Sequence, residues 1–315
     1  MINRRCFITG IKGKSLTRNE IIFLNKYQPW GVILFTRNIK SINQTKKLTS
    51  EIKKIFNDKN YPILLDQEGG RVNRLRNFFN ADQLTNEYFG KLYLEDRLKF
   101  NNSYKLFINK TSQLLKLIGV NINTVPVLDL RVKGSSNIIG DRSFSNKSKL
   151  VSKIGDICIK NFHKNKICTI IKHIPGHGFA KVDSHKSTPT VKVKYNYLMK
   201  NDFSVFKNKK SLLAMTAHII YKDIDALNTA THSNKIIHLI RNKIKFGSII
   251  MSDDISMKSL KYSVKKNTLK AFSAGCNLVL HCNGNYNEML DVAKNSPVLS
   301  KFIIKKTSHL YKILS

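Results

Sequence analysis

Short apolar runs alternate along this chain with stretches of helical period. Residues 6–11, 31–37, 61–66, 120–129, 167–171, 212–218, 247–252 and 277–281 are runs of strand length, rich in Ile, Val and Leu, without the one-in-two polar alternation of a half-exposed strand. Between them, 19–27, 43–56, 103–118, 150–163, 195–206, 235–243 and 259–274 carry apolar residues near every third or fourth position, which predicts helices. Strands buried on both faces belong to a parallel sheet. Eight such strands alternating with helices close most naturally into a single α/β domain, a (β/α)8 TIM-type barrel. The competing open, doubly wound sheet lacks its G-x-G-x-x-G signature after the first run. With 315 residues, 1–315 is expected to be one catalytic barrel domain.

The polar residues fall where that fold builds its active sites. Asp66, Asp129, Lys172, His173, His218, Asp253 and Asn283 each stand at or just past the C-terminal end of an expected strand. The densest stretch is 167–191, where an apolar run turns at Lys172, His173, Pro175, Gly176 and Gly178 into a loop ending on Asp183 and His185. It supplies every element of proton-transfer chemistry, and its glycines allow motion or close backbone approach. A polar surface loop is the bland alternative, but such loops seldom place Lys-His on the end of an apolar strand.

Composition changes this picture little. Lys and Arg outnumber Asp and Glu by 55 to 20, a formal charge of +35, which favours anionic partners. The lysines are scattered among asparagines and isoleucines rather than gathered into a stripe with aromatics, so no specific nucleic-acid site is expected and weak polyanion binding is a side effect. A genome rich in A and T would produce the same bias. There is no apolar run long enough to span a bilayer and no signal-peptide pattern, which predicts a cytoplasmic protein without membrane insertion. Five cysteines without a C-x-x-C pair argue against a disulfide framework or a zinc ribbon.

Three constellations carry chemistry. Asp66 could accept hydrogen bonds from neighbouring sugar hydroxyls while Arg74 donates a planar fork, or the two could simply brace a turn. Asp183 and His185 stand two apart, so that the carboxylate can orient the imidazole and stabilise its protonated form as a general acid. Asp253 and Asp254 end an apolar run and must point different ways. Asp253, closer to the strand, is the candidate nucleophile, although helix capping would also suit both acids. Arg142, in a loop rich in Gly and Ser, is on its own no more than part of a tight turn. A metal site at His173, His177, Asp183 and His185 is disfavoured, because Pro175 and Gly176 keep the first two histidines off one helical face.

The motifs DQEGGRVNR, IGDRSF, KHIPGHG followed by DSH, MTAH and SDDISM, in this order, resemble the bacterial β-N-acetylhexosaminidases of glycoside hydrolase family three. The resemblance runs from GVILFTRN to AGCNLVLHCN. Ile174, Ser259 and Asn277 depart from the usual residues, and none removes a catalytic group. It implies a barrel without a cofactor, Asp253 as nucleophile, His185 as acid/base with Asp183 as its partner, and sugar binding by Asp66, Arg74, Arg142, Lys172 and His173. The function so implied is a retaining exo-β-N-acetylglucosaminidase that removes terminal N-acetylglucosamine from muropeptides in peptidoglycan recycling. A phosphorylase using the same residues is the nearest alternative. A basic polymer-binding protein with a vestigial site is the alternative from another class, and the intact Asp253, Asp183 and His185 argue against it. The sequence leaves the oligomeric state open.

Overall fold

The apolar runs become strands because the barrel leaves neither of their faces to water. The computed structural model describes residues 3–184 and 187–315. Among them, eight parallel strands close into a barrel: β1 (Arg5–Gly10), β2 (Pro29–Leu34), β3 (Ile63–Leu65), β4 (Ile122–Asn123), β5 (Cys168–Ile174), β6 (Leu213–Thr216), β7 (Ile249–Asp254) and β8 (Leu278–His281). Each pairs with its neighbours in chain order, and β8 closes on β1 with Phe7 opposite Val279 and Thr9 opposite His281. The (β/α)8 TIM-type barrel expected from the sequence is the fold.

Period-two alternation divides the strand residues between two cores. Cys6, Ile8, Leu64, Ile170, Met251 and Leu280 share the barrel interior, whereas Phe7, Val32, Leu65, Ile171, Ile250 and Val279 pack outward beneath the helices. That interior is filled rather than open, as eight strands require. Its lower end is stoppered by a terminal helix, Lys301–Leu314, which adds Ile303 and Leu310 to the interior cluster and accepts a hydrogen bond from Trp30 Nε1 at Thr307 Oγ1 (2.9 Å). Arg4 ties the same helix down, donating to the Tyr311 hydroxyl (3.0 Å) and to Asp58 (2.7 Å).

The outer helices are α1 (Arg18–Tyr27), α2 (Ile42–Ile55), α3 (Asn86–Glu95), α4 (Arg97–Leu117), α5 (Ser148–Lys164), α6 (Tyr195–Lys200), α7 (Asn234–Asn242), α8 (Val264–Ala274), α9 (Tyr286–Asn295) and α10, the stopper. Local chemistry starts them. At α1 the Thr17 hydroxyl accepts the Glu20 N–H (3.2 Å) while the Glu20 carboxylate accepts the Thr17 N–H (2.8 Å), a capping box. None of the described helices is long and apolar enough to cross a membrane.

Several boundaries differ from the sequence pattern. The run 120–129 pairs regularly only at Ile122 and Asn123, because Pro126 has no N–H to give and pairing resumes only as an isolated bridge between Val127 and Lys172. The expected helix 195–206 breaks at Asn201, which leaves helical geometry (φ −115°, ψ −90°), and continues as a tight turn over Phe203–Phe206. The expected helix 259–274 begins only at Val264, after its cap Ser263. Lys172 and His173, expected in the loop, are part of β5 itself.

One contact fixes the loop after β4 against α3. A Cβ on Gly90 would lie 1.7 Å from the carbonyl oxygen of Phe144, a backbone atom that cannot swing aside. Gly90→Ala should therefore cost about 1–3 kcal/mol in chemical denaturation, the range for overpacking a filled site. Gly247→Ala, with nothing within 4 Å of the added Cβ, should stay within about 0.5 kcal/mol of the parent.

Candidate active site

At the C-terminal end of the barrel the strands open onto a cavity of 310 Å³. One wall is a row of alternating charges. Arg74 Nη2 lies 3.5 Å from Asp66 Oδ2, Asp66 Oδ1 is 3.2 Å from Lys172 Nζ, and Lys172 Nζ is 2.7 Å from Glu68 Oε1. Glu68 then meets Arg142 with both oxygens, Nε to Oε2 at 2.8 Å and Nη2 to Oε1 at 2.9 Å. Thr124 completes the row, accepting from Lys172 Nζ (2.9 Å) and donating to Asp66. The Lys172 and Glu68 side chains are almost fully buried.

Burial alone would favour the neutral forms of Asp66, Glu68, Lys172 and Arg142, and the neighbouring charges reverse that. Asp66 is held well below the ordinary carboxylate range by Lys172, Arg74 and the Thr124 hydroxyl, against its burial. Glu68 falls to about 2, because Arg142 and Lys172 outweigh its burial. Lys172 and Arg142 are raised for the reciprocal reason: desolvation opposes their charge, and Asp66 and Glu68 more than compensate. These four are ionised at neutral pH.

Two successive residues of β5, Lys172 and His173, line this cavity, although alternation should send them to opposite faces. The register of β5 against β6 shifts between Lys172 and Ile174, and such an irregularity re-aims side chains beside functional sites. His173 is then fixed by the fully buried Asp129, whose carboxylate accepts its backbone N–H (3.1 Å) and meets its Nδ1 at 2.6 Å. With Nδ1 engaged, Nε2 is the nitrogen left for the cavity. Asp129 also accepts the His177 N–H (2.8 Å), joining the turn after β5 to the segment that follows β4.

Opposite the row stands Asp253. Its Oδ1 accepts the N–H of Asp254 (2.8 Å). Burial would raise its pKa, but His218, His173 and that N–H lower it, so Asp253 is a carboxylate facing a cationic wall. Asp254 turns the other way, as adjacent strand residues must. Its Oδ1 accepts from the backbone and hydroxyl of Ser256 (3.0 and 2.8 Å) and from the Cys282 N–H (3.2 Å). Its carbonyl oxygen is 2.9 Å from His218 Nε2, and His218 Nδ1 is 2.7 Å from the Thr231 hydroxyl, so this imidazole braces the end of β7 from behind.

Of the residues singled out in the sequence, Asp66, Arg74, Arg142, Lys172, His173 and Asp253 share the cavity wall. Asp183 is half-buried beside Ser184, which does line the cavity and lies 3.4 Å from His177 Nε2. His185 lies outside the described residues. Asn283 is exposed and turned to Glu288 (2.7 Å) at the start of α9, so it is a helix-end residue and not part of the site. Among the described residues no group of three or more His, Cys, Asp or Glu side chains is arranged to hold a metal ion.

Glu68, Thr124 and His177 were not singled out as binding groups. Glu68 had a signal: it stands two residues after Asp66 in extended backbone, hence on the same face. His177 is neutral, its pKa brought down to about 4 chiefly by burial. Thr124 offered no local signal, since it reaches the site only through barrel pairing.

Comparison with known proteins places the chain in a family. Residues 12–313 match the family described as glycosyl hydrolase family 3 N terminal domain. The chain is 32% identical over 286 residues to a β-hexosaminidase of Nitrosomonas eutropha, covering 87% of this chain and 79% of that protein. A β-hexosaminidase of Methylobacillus flagellatus is 30% identical over 280 residues, with the same coverage. Among solved structures, NagZ from Neisseria gonorrhoeae superposes with a TM-score of 0.85 at 26% identity, over 98% of this chain and 90% of that one. A family 3 β-N-acetylglucosaminidase from a Paenibacillus species superposes with a TM-score of 0.86; at 23% identity, and with 60% of that chain covered, the likeness is one of fold.

The pairing of Glu68 makes a stability prediction. Because its folded pKa lies below its unfolded value, its contribution is complete above the ordinary carboxyl range and is lost as the pH falls toward about 2. Glu68→Gln leaves Lys172 and Arg142 buried with one partner fewer, and should cost about 3–5 kcal/mol at neutral pH. The deficit relative to the parent should shrink as the medium is acidified, as urea midpoints across a pH series will show.

Proposed function

The chain belongs to glycosyl hydrolase family 3 and is a glycoside hydrolase, and from that premise we propose that it is a retaining exo-β-N-acetylglucosaminidase. One observation carries the reading: an ionised carboxylate, Asp253, faces a cavity whose other wall is a fixed row of hydrogen-bonding charges. The cavity is at the small end of ligand sites, suited to one sugar ring rather than the middle of a polymer. The relatives named β-hexosaminidase support the substrate class, as does the NagZ of Neisseria gonorrhoeae, which has been crystallised with N-trifluoroacetyl-D-glucosamine.

In this proposal Asp66, Arg74, Arg142, Lys172 and His173 bind the hydroxyls of the terminal sugar, carboxylate oxygens accepting and cationic N–H groups donating. Asp253 attacks the anomeric carbon through Oδ2, since Oδ1 is engaged by the Asp254 N–H. The glycosidic C–O bond breaks, and the departing oxygen takes a proton from His185, oriented by Asp183. Water then attacks the glycosyl-enzyme while His185 accepts its proton, and Asp253 leaves as a carboxylate. We assign 1–315 to one catalytic domain, and the natural substrate to muropeptides in cytoplasmic peptidoglycan recycling. Such aglycones carry carboxylates, and a formal net charge of +35 would speed their approach in low salt.

Mutants separate the two catalytic roles. Asp253→Asn should abolish hydrolysis of both an aryl N-acetyl-β-glucosaminide and a muropeptide, with the circular dichroism spectrum unchanged. His185→Ala should slow the glycosylation step on the muropeptide by roughly 10²–10⁴-fold. It should spare much of that step on the nitrophenyl substrate, whose leaving group needs little protonation. Pre-steady-state bursts are the measurement, because His185 also serves deglycosylation. Equal loss on both substrates would remove His185 from the acid role.

A further inference from the structure

Asp202 stands where the chain leaves α6, with 1% of its surface exposed. Its Oδ2 accepts the N–H of Gly178 (3.2 Å), the Leu130 N–H also reaches its carboxyl, and Oδ1 is buried without a hydrogen-bond partner. Packing there is tight. A Cβ on Gly176, whose φ is +150°, would lie 2.5 Å from Asp202 Cγ, and one on Gly178 would lie 2.9 Å from Oδ1. From the other side the buried Tyr221 hydroxyl donates to the Gly176 carbonyl. The 176–178 turn is therefore clamped between Tyr221 and a carboxyl group, while its middle residue, His177, donates its N–H to Asp129.

Among the described residues, the titratable groups facing Asp202 are Asp129 in the segment after β4, Tyr221 behind the turn and His177 within it. None of them is a cation at neutral pH, and among the described residues Asp202 forms no ion pair. An unpaired carboxylate in such a place costs several kcal/mol, so the group retains its proton instead. Burial, and then the charge of Asp129, hold its pKa well above the carboxylate range.

We propose that Asp202 is a positioning residue that works as an uncharged carboxylic acid, bracing the 176–178 turn so that Asp129 holds His173 in the cavity. Its kinetic consequence rests on the hydrolase reading above, and its effect on stability does not. The folded chain retains a proton that the unfolded chain releases, so stability falls as pH rises from the ordinary carboxyl range toward the raised folded value.

Asp202→Asn has the same shape and no proton to lose. The melting-temperature difference between Asp202→Asn and the parent should therefore move in the variant's favour as pH rises. The infrared carbonyl band of a protonated carboxylic acid, present in the parent at neutral pH, should be lost. At neutral pH the variant should keep kcat and KM for an aryl N-acetylglucosaminide within about threefold, and Asp202→Ala should raise KM about tenfold with less effect on kcat, the scale of a lost buried hydrogen bond. The proposal is overturned if parent and Asp202→Asn lose stability in step as pH rises, or if Asp202→Asn is as impaired as Asp202→Ala. If Asp202→Ala does not fold, the asparagine variant decides alone. A parent inactive on the glycoside would sink the hydrolase reading, and the stability comparison would still decide the role of Asp202.

Discussion

The cavity depends on the alternation of charge from Arg74 through Asp66, Lys172 and Glu68 to Arg142. Each inner member has an opposite charge on both sides, so none is left uncompensated where burial has removed most of its water. Desolvating such ions costs several kcal/mol apiece, which only close and complete pairing offsets. The row contains three cations and two carboxylates, and the surplus positive charge is felt across the cavity, where Lys172 adds to the groups that hold Asp253 ionised. The same wall that presents donors and acceptors to a ligand therefore also sets the protonation state of the group opposite it.

The barrel supplies what this arrangement needs, namely fixed anchor points. Asp66, Lys172 and Asp253 stand at the ends of three different strands, and no single loop could hold them at these separations against their desolvation. The strands in turn are held from inside by a packed core that the C-terminal helix closes. Where the regular lattice would prevent two neighbours from serving one cavity, the register shift in β5 lets both Lys172 and His173 do so. Asp129 and His218 act behind the wall, each spending its hydrogen-bonding capacity on backbone or side chains of the strand ends rather than on the cavity.

The barrel was legible because strands buried on both faces leave continuous apolar runs, a signal that survives a heavy bias toward lysine. Seven of the helices were legible from the spacing of their buried stripe, and α3, α9 and α10 were not read. In α9 it consists of Met289, Val292 and Ala293, too thin to stand out among polar neighbours. Strand ends could be read as polar residues following apolar runs, which located Asp66, Lys172, His173 and Asp253. The same rule misplaced Asn283, whose side chain turns away from the cavity to Glu288 and to the N–H of Asn285, the cap of α9. What could not be read was support from a distance. Thr124 touches Asp66 from 58 residues away, and Asp202 sat in a stretch whose period suggested an ordinary surface helix.

The burial of Lys172 separates two populations of amine in a chain so rich in them. Reagents that acylate lysine at neutral pH attack the small unprotonated fraction of an accessible amine. Lys172 is 3% exposed and has its proton held by two carboxylates, so it presents neither the access nor the free base. The outer lysines can therefore be converted to neutral amides while the charge row stays intact. Chemical labelling would strip the positive field from the surface and leave the electrostatics of the cavity as they were.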